Sequence, residues 1–422
     1  MNRAEFDRQP DFDQIRFQYY LNRLRKRRML ELCLRAGEED LAVIVPHHET
    51  FALASSTAPD LQKTRLSRFA YVRGTDRGAV LESPEASCSI VLAAGRTMAW
   101  LYDLASAGQP LRVAGSEADE RSAFVDLLWR CGFLEPNDAV ESDARASWEF
   151  HDLLFHRASR PGKVLWPVGG SFRFKDRFES PPAVKPRMGD HRIDLATPDK
   201  ETLSAQSGPT FDVMERRRSF RAMGSPPISL AQIAEFLFRA ARFVNVVKSP
   251  LQEMAKRAFP SGGAIHEIEF YLSVHECDGL DPGFYHYHAF DHALDRIGTA
   301  DRAAASIVAQ AGEDWDQPAK PPQVVLTLAS RVPRIAWKYD TVAYRATLIN
   351  AGAAIQTMYL VATDMNLACA PAGRGDPAVF ASATGVDPLE ETSIAEFGLG
   401  SRDPGRQARM DELESLFETR RR

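Results

Sequence analysis

Four short stretches of this chain carry residue types that chemistry uses. Arg216-Arg217-Arg218-Ser219-Phe220-Arg221 gathers guanidinium groups around one hydroxyl. Their planar forks of donors suit a phosphate or an electron-rich ring edge, although such a run is equally a solvated surface. Pro260-Ser261-Gly262-Gly263 comes next. Two glycines after a serine let a backbone approach a flat ligand and show it bare N–H groups, or else form a simple turn. Lys338-Tyr339 sets an amine beside a phenol. Both have high reference pKa values, so the pair could remove or deliver a proton; the alternative is a snorkelling lysine beside a packed tyrosine. Near the C-terminus, Gly398-Leu399-Gly400-Ser401-Arg402 follows an apolar run and offers one more phosphate contact.

Other chemistries are poorly represented. His286, His288 and His292 lie in an aromatic segment, Gly283 to His292. Histidines two apart on a strand share a face, which suits a metal, but the Phe and Tyr ladder reads as a packed strand pair with histidines at its rim. The five cysteines, Cys33, Cys88, Cys131, Cys277 and Cys369, form no C-x-x-C pair and none has a histidine at zinc spacing. Neither a structural zinc nor a disulfide framework is expected. There is no G-x-S-x-G elbow, Walker motif or H-E-x-x-H.

The elements that must hold these residues follow from periodicity. A net charge of -5, from 52 basic and 57 acidic residues, is too balanced for an electrostatic nucleic-acid binder, so no nucleic-acid partner is expected. The longest uncharged stretch, Ala346 to Thr363, is interrupted by Asn350, Gln356 and threonines, and reads as a buried helix, not a membrane span. With no signal peptide after Met1, a cytoplasmic location is expected. At 422 residues the chain has room for two or three domains. Residues 1–50 read as a helical segment, with Arg23 to Arg28 on a solvated face. Residues 51–145 read as a small winged-helix-like domain: a hairpin from Phe69-Ala70-Tyr71-Val72-Arg73 and Gly78-Ala79-Val80-Leu81-Glu82, then helices over Arg96 to Ala107 and Glu117 to Cys131. Residues 146–210 are rich in proline and glycine, so little regular structure is expected there, and a loop so long is usually functional or drapes over a neighbour. A second domain spans 211–402. It opens on the capping box Ser229-Leu230-Ala231-Gln232, has strands at Glu267 to Val274 and Gln323 to Ala329, and a long helix from Asp340 to about Asn366. A charged tail, 403–422, closes the chain. The class is α+β.

The order of these signals resembles the SagB-type branch of the FMN-dependent nitroreductase superfamily, the thiazole/oxazole-forming dehydrogenases of ribosomal peptide natural products. The series runs from Arg217-Arg218-Ser219-Phe220-Arg221 through Pro260-Ser261-Gly262-Gly263, His266-Glu267 and Trp337-Lys338-Tyr339. It continues with Tyr344-Arg345, Ala351-Gly352, Asn366 to Gly373 and Gly398 to Arg402. The resemblance covers roughly Phe211 to Arg402, and more loosely Trp148 to Arg160. It implies a nitroreductase-like domain, a central antiparallel-rich sheet flanked by helices, forming a homodimer with FMN at the interface. Arg217, Arg218, Ser219, Arg221 and Arg402 would grip the phosphate, ribityl chain and ring edge. Pro260, Ser261, Gly262 and Gly263 would lie along the isoalloxazine, and Ala372 and Gly373 would offer it backbone donors. Lys338 and Tyr339 match the Lys-Tyr pair that separates azoline dehydrogenases from ordinary nitroreductases. The substrate implied is an azoline-containing peptide, and a cyclodehydratase is the partner implied, held or docked by the N-terminal domain. The alternatives are an NAD(P)H-dependent nitro or quinone reductase, a flavin oxidase of another peptide or carrier-bound residue, and a scaffold without flavin.

Overall fold

The computed structural model describes residues 14–27, 29–56, 63–106, 115–160, 169–189, 191–373, 375–406 and 408–409. Two compact units divide at residue 168. The expected helix end at Ala107, Arg28 of the basic run, Arg374 and most of the 403–422 tail lie outside the described residues. No helix among the described residues is long and apolar enough to cross a membrane.

The first unit opens with helix α1 (Gln14–Lys26) and then departs from the helical reading of 1–50. Strands β1 (Leu32–Ala36) and β2 (Glu39–Pro46) form a hairpin turning at Gly37, whose φ is 60°. The Leu41-Ala42-Val43-Ile44-Val45 run is β-branched and buries Leu41, Ala42 and Ile44, so it pays for a strand better than for a helix. With β4 (Tyr71–Thr75), β5 (Gly78–Glu82) and β6 (Cys88–Leu92) the hairpin makes a five-stranded antiparallel sheet in the order β1-β2-β6-β5-β4. A short ribbon pairs β3 (Thr64–Leu66) with β7 (Leu134–Pro136). The expected hairpin, β4–β5, is therefore one edge of a larger sheet than a small winged-helix-like unit was expected to hold. Helices α2 (Gly95–Ala105) and α3 (Ser116–Arg130) supply Trp100, Leu101, Leu104, Phe124, Val125 and Leu128 to the core. After α3 come α4 (Asp143–Ala146) and α5 (Phe150–Ala158).

The second unit is built on a seven-stranded antiparallel sheet buried on both faces. Its strands are β8 (His191–Asp194), β11 (Ile268–Val274), β12 (Gly283–His288), β13 (Ala293–Arg296), β14 (Val324–Arg331), β15 (Leu367–Ala372) and β16 (Glu391–Ser401). Their order is β15-β16-β14-β11-β12-β13-β8. A separate hairpin joins β9 (Asn245–Val247) to β10 (Met254–Lys256). Strand β8 is a correction to the expectation for 146–210: Arg192 and Ile193 pair with Asp295 and Leu294, extending the sheet by an edge. Helix α6 (Lys200–Gln206) also forms there, capped by the Asp199 side chain on the Thr202 N–H. Helix α7 (Thr210–Arg216) leads to α8 (Leu230–Ala240), where the Ser229–Gln232 capping box is formed in both directions. Strand alternation sends Ile268, Phe270, Leu272 and Val274 to a core shared with α8 and α11 (Ala343–Asp364), each such side chain contributing about 2 kcal/mol by burial. Tyr271, Val325 and Ala329 face the other way, onto α9 (Asp301–Asp314) and α12 (Pro377–Thr384). The short helix α10 (Val332–Lys338) continues directly from β14.

One buried acid in this sheet makes stability depend on pH. Glu396 of β16 is 7% exposed, and its carboxylate packs against Gly375, where a Cβ would lie 1.9 Å from Oε2. Burial, reinforced by the Asp314 charge, raises its pKa from 4.5 to about 7. The folded state thus holds this proton more tightly than the unfolded chain does. Its contribution is complete below about pH 4.5 and is lost as pH rises to about 7, a difference on the order of 3 kcal/mol. Glu396→Gln should therefore raise the melting temperature relative to the parent at pH 8 and shift it much less at pH 5. Equal shifts at both values, read by thermal unfolding, would contradict this assignment.

Candidate functional site

Lys338 ends α10 and Tyr339 is its C-cap residue, with extended backbone. Both side chains turn onto the glycine loop. Lys338 Nζ donates to the Gly263 carbonyl at 3.3 Å, and a Cβ built on Gly263 would sit 2.5 Å from both Lys338 Nζ and Tyr339 OH. Gly263 also has φ of 63°, which an L side chain rarely adopts. Sequence spacing placed these motifs 75 residues apart; the fold brings them into contact.

Asn350 holds the loop in place. It is a buried amide in the middle of α11. Its Oδ1 accepts from the Gly262 N–H at 3.0 Å, and its Nδ2 donates to Ser261 Oγ at 3.1 Å and to Glu267 at 2.9 and 3.2 Å. Ser261 Oγ in turn donates to Glu267 Oε2 at 3.4 Å and accepts from the His266 N–H at 3.0 Å. His266 is driven down to about 3 by burial and by Arg257 and Arg334, so it remains a neutral ring. Burial, then Glu267, pushes the Tyr339 phenol up, keeping it protonated. Sequence reasoning assigned Asn350 no role, yet a lone amide at a core position of an apolar helix is itself a signal, because a buried amide needs partners.

The proline-rich segment also reaches this site. Gly170 bridges to Tyr339, the Phe172 N–H donates to the Lys338 carbonyl at 3.2 Å, and Arg173 pairs with Asp340 at 2.8 Å. Trp337 Nε1 donates to the Phe178 carbonyl at 2.8 Å. Residues 170–178 therefore pack onto the Lys-Tyr segment within their own unit, not onto a neighbouring domain.

The arginine-serine stretch forms a second cluster around Tyr359 of α11. Ser219 Oγ and the Tyr359 hydroxyl are 2.6 Å apart, and the Arg217 guanidinium lies 5.2 Å from the Tyr359 ring centre. Phe220 is buried, its N–H donating to the Cys369 carbonyl at 2.8 Å, and Arg402 stacks over its ring at 4.3 Å. Neither Arg217 nor Arg221 has a carboxylate partner among the described residues, and Arg221 is exposed. Burial pushes the Tyr359 phenol up even against these two positive charges. Arg218 is half-buried beside them. Asn350 and Tyr359 are nine residues apart, which on an α-helix is about 13 Å of rise and half a turn of rotation. The two clusters thus lie on opposite sides of α11.

Other expected residues stay apart. Pro260 is exposed at the start of the glycine loop. Ala372 packs into the core under α9 and α12, and the Gly373 N–H donates to Asp314 Oδ2 at 2.7 Å, so within one chain neither joins the two clusters. Gly398 and Gly400 lie inside β16 and offer no phosphate loop. A Cβ there would strike Trp315 at 2.2 Å and Met223 at 2.3 Å, so both glycines serve close packing. The three histidines take separate partners: His286 faces Glu269 at 3.5 Å, His288 the Lys185 carbonyl at 3.2 Å, and His292 the Tyr287 hydroxyl at 2.8 Å.

Comparison with known proteins agrees with this division. Residues 64–164 match the family model described as cyanobactin oxidase ThcOx, and residues 214–400 match the nitroreductase family. The trifolitoxin-processing protein TfxB of Rhizobium leguminosarum bv. trifolii is 26% identical over 309 residues, covering 67% of this chain and 80% of that one. A nitroreductase-like protein of Methanocaldococcus jannaschii is 28% identical over 186 residues, 44% of this chain and 86% of the other. Among solved structures, the E. coli microcin synthetase McbBCD complex with truncated pro-MccB17 matches at 19% identity and a TM-score of 0.38, over 56% of this chain and 88% of that one. The chain thus carries a segment similar to cyanobactin oxidase followed by one similar to the nitroreductase family, each over less than half of its length.

Proposed function

We propose that this protein is an FMN-dependent dehydrogenase that converts thiazoline or oxazoline rings of a ribosomally made peptide to thiazole or oxazole. The observation that carries the reading is the closure of Lys338 and Tyr339 on Gly263, a proton-transfer pair set against a bare backbone cradle. The match of residues 64–164 to a peptide-modifying oxidase family and the similarity to a trifolitoxin-processing protein support a peptide substrate.

The residues present fit FMN. Arg217 and Arg221 are cations without a carboxylate partner among the described residues, and Ser219 adds a hydroxyl, the donor set of a phosphate site. Arg402, across the Phe220 ring, would complete it. The Ser261-Gly262-Gly263 backbone, where no Cβ projects, would lie along the flavin ring. Bound FMN supplies the acceptor for the hydride that leaves the ring carbon. Lys338 takes the proton from the adjacent α carbon, with the protonated Tyr339 hydroxyl beside it as a hydrogen-bond donor, so aromatisation loses one hydride and one proton. The strap Gly170–Phe178 fixes the backbone of that pair.

The two clusters on opposite sides of α11 work together in a homodimer, each flavin site drawing one cluster from each copy. Tyr344, Leu348 and Ile349 stand exposed on the N-terminal half of α11, beside the glycine loop, as a seam between copies would require. The first unit holds the leader of the peptide or docks a cyclodehydratase, which raises the local concentration of substrate rings.

An anaerobic visible spectrum tests the reading: the purified protein should show bound flavin that bleaches when an azoline-containing peptide is added. Flavin that bleaches only with NADPH would overturn it in favour of a reductase. Lys338→Ala should keep its flavin and lose at least 100-fold in kcat with the peptide; an active variant would remove Lys338 from the chemistry. Gly263→Ala forces a side chain into a left-handed position and against the reacting pair, so we expect at least a tenfold loss of kcat with the fold retained by circular dichroism. The shared site has its own signature. Mixing Arg217→Ala and Lys338→Ala chains should restore about a quarter of the activity, because one site of each mixed dimer is then free of both changes. No recovery in verified mixed dimers would place both clusters in one chain.

A further inference from the structure

The same proline-rich segment leads into a second cavity. It has a volume of about 560 Å³, the size of a small-ligand site. Its walls are apolar, with Phe178, Pro181, Pro333 and Val386 among them, and its floor carries Lys185 and Arg331. Neither the Lys-Tyr pair nor the arginine-serine cluster lines it.

The floor is rich in donors that lack acceptors. Lys185 is largely buried and spends two of its three N–H donors, one on the Tyr271 hydroxyl at 2.5 Å and one on Glu391. Tyr271 cannot accept charge itself: burial and Glu391 push its phenol far up, and it donates to Glu391 Oε1 at 2.7 Å. Arg331 uses Nη1 on the carbonyls of Pro182 and Ala183, at 2.9 and 3.3 Å, and on Glu269 at 3.3 Å. Its Nε and Nη2 have no acceptor among the described residues. Glu269 is ionised: burial raises its pKa, but the His286 hydrogen bond and Arg331 outweigh that and bring it to about 2. Arg334 of α10 is fully buried and donates only to the carbonyls of Ile265, Pro181 and Glu253, at 2.8, 2.6 and 2.8 Å. No carboxylate pairs with it among the described residues. Inside the cavity, then, each acid already has its cation, one cation is left over, and the spare valences are N–H groups. Glu390 carries the opposing charge, but at the exposed rim, where solvent screens it.

We propose that this cavity is a carboxylate subsite, binding an acidic group carried on an apolar stem between the proline and phenylalanine walls. The group comes either from an acidic residue of the peptide substrate or from a free carboxylic acid. Its position favours the peptide: Arg334 and Lys338 are four residues apart on α10, about 6 Å along the axis, so the subsite starts one turn from the reacting pair. That preference rests on the function proposed above; the subsite itself does not.

Isothermal titration of the full-length protein with hexanoate and with hexanamide separates charge from apolar fit. Hexanoate should bind at least tenfold more tightly. Val386→Glu adds a carboxylate to the wall without touching the floor, and should weaken hexanoate at least tenfold more than it weakens hexanamide. Lys185→Met should act in the same direction, but it strands Glu391, so Val386→Glu decides if that variant fails to fold. Equal affinities for the two probes, or hexanoate binding indifferent to Val386→Glu, would overturn the proposal. Anisotropy of labelled peptides differing only in Glu or Gln beside the ring then identifies the source. A tenfold preference for Glu, lost in Val386→Glu, supports the subsite as a peptide contact; no preference, with hexanoate binding retained, supports it as a site for a free acid. None of these readouts needs turnover, so they stand or fall apart from azoline oxidation.

Discussion

The side chains of Lys338 and Tyr339 close on the backbone of Gly263 because nothing projects from it, and the rest of the site depends on keeping that peptide where it is. The loop resists this placement. Gly263, Ala264 and His266 all have positive φ, at 63°, 59° and 50°, and for the two residues with side chains this costs on the order of 1–2 kcal/mol each. What offsets the strain is a buried network, since hydrogen bonds in a dry interior are stronger than those at a surface. Asn350 grips the Gly262 N–H, Ser261 and Glu267 at once, and Ser261 takes the His266 N–H. Helix, loop and strand are therefore locked by three side chains.

Helix α11 positions two side-chain clusters because its composition permits close packing on every side. Ala351 and Ala354 let its backbone approach the sheet, while Asn350 and Tyr359 project to opposite sides. The cations near Tyr359 illustrate a cost. Arg217 and Arg221 share a small region without a carboxylate among the described residues, so they repel one another. Electrostatic strain of this kind is tolerated where binding relieves it.

Much of this was legible in the sequence, for identifiable reasons. The capping box at Ser229, the long helix and the central strands β11 and β14 follow from local patterns that the fold did not have to override. The motif residues Ser261, Gly263, Lys338 and Ser219 were visible by type. Three things were not. The β1–β2 hairpin was hidden because Arg23 to Arg28 drew attention to a helix, although Gly37 marks its turn. Strand β8 is only four residues long and exists because β13 offers it an edge, a cause no local window contains. Gly398-Leu399-Gly400-Ser401-Arg402 reads as one more phosphate contact, but spacing cannot show that the two glycines leave room for Trp315 and Met223.

The two faces of β11 show what the sheet gives up for its chemistry. One face is wholly apolar, with Ile268, Phe270, Leu272 and Val274. The other carries Glu269, Tyr271 and Ser273, although it is just as buried. Apolar residues of similar volume would generally stabilise such a face as well or better, because desolvating a charge costs several kcal/mol before any pairing gain. The Oγ of Ser273 and the Oγ1 of Thr327 in the neighbouring strand are buried without a hydrogen-bond partner among the described residues, which adds to that cost. Stability therefore does not explain the polar face. Its Glu269 carboxylate pairs with Arg331 and its Tyr271 phenol accepts from Lys185, the two cations that line the cavity. A floor of fixed donors needs fixed acceptors beneath it, and β11 supplies them from the centre of the sheet, where the backbone moves least.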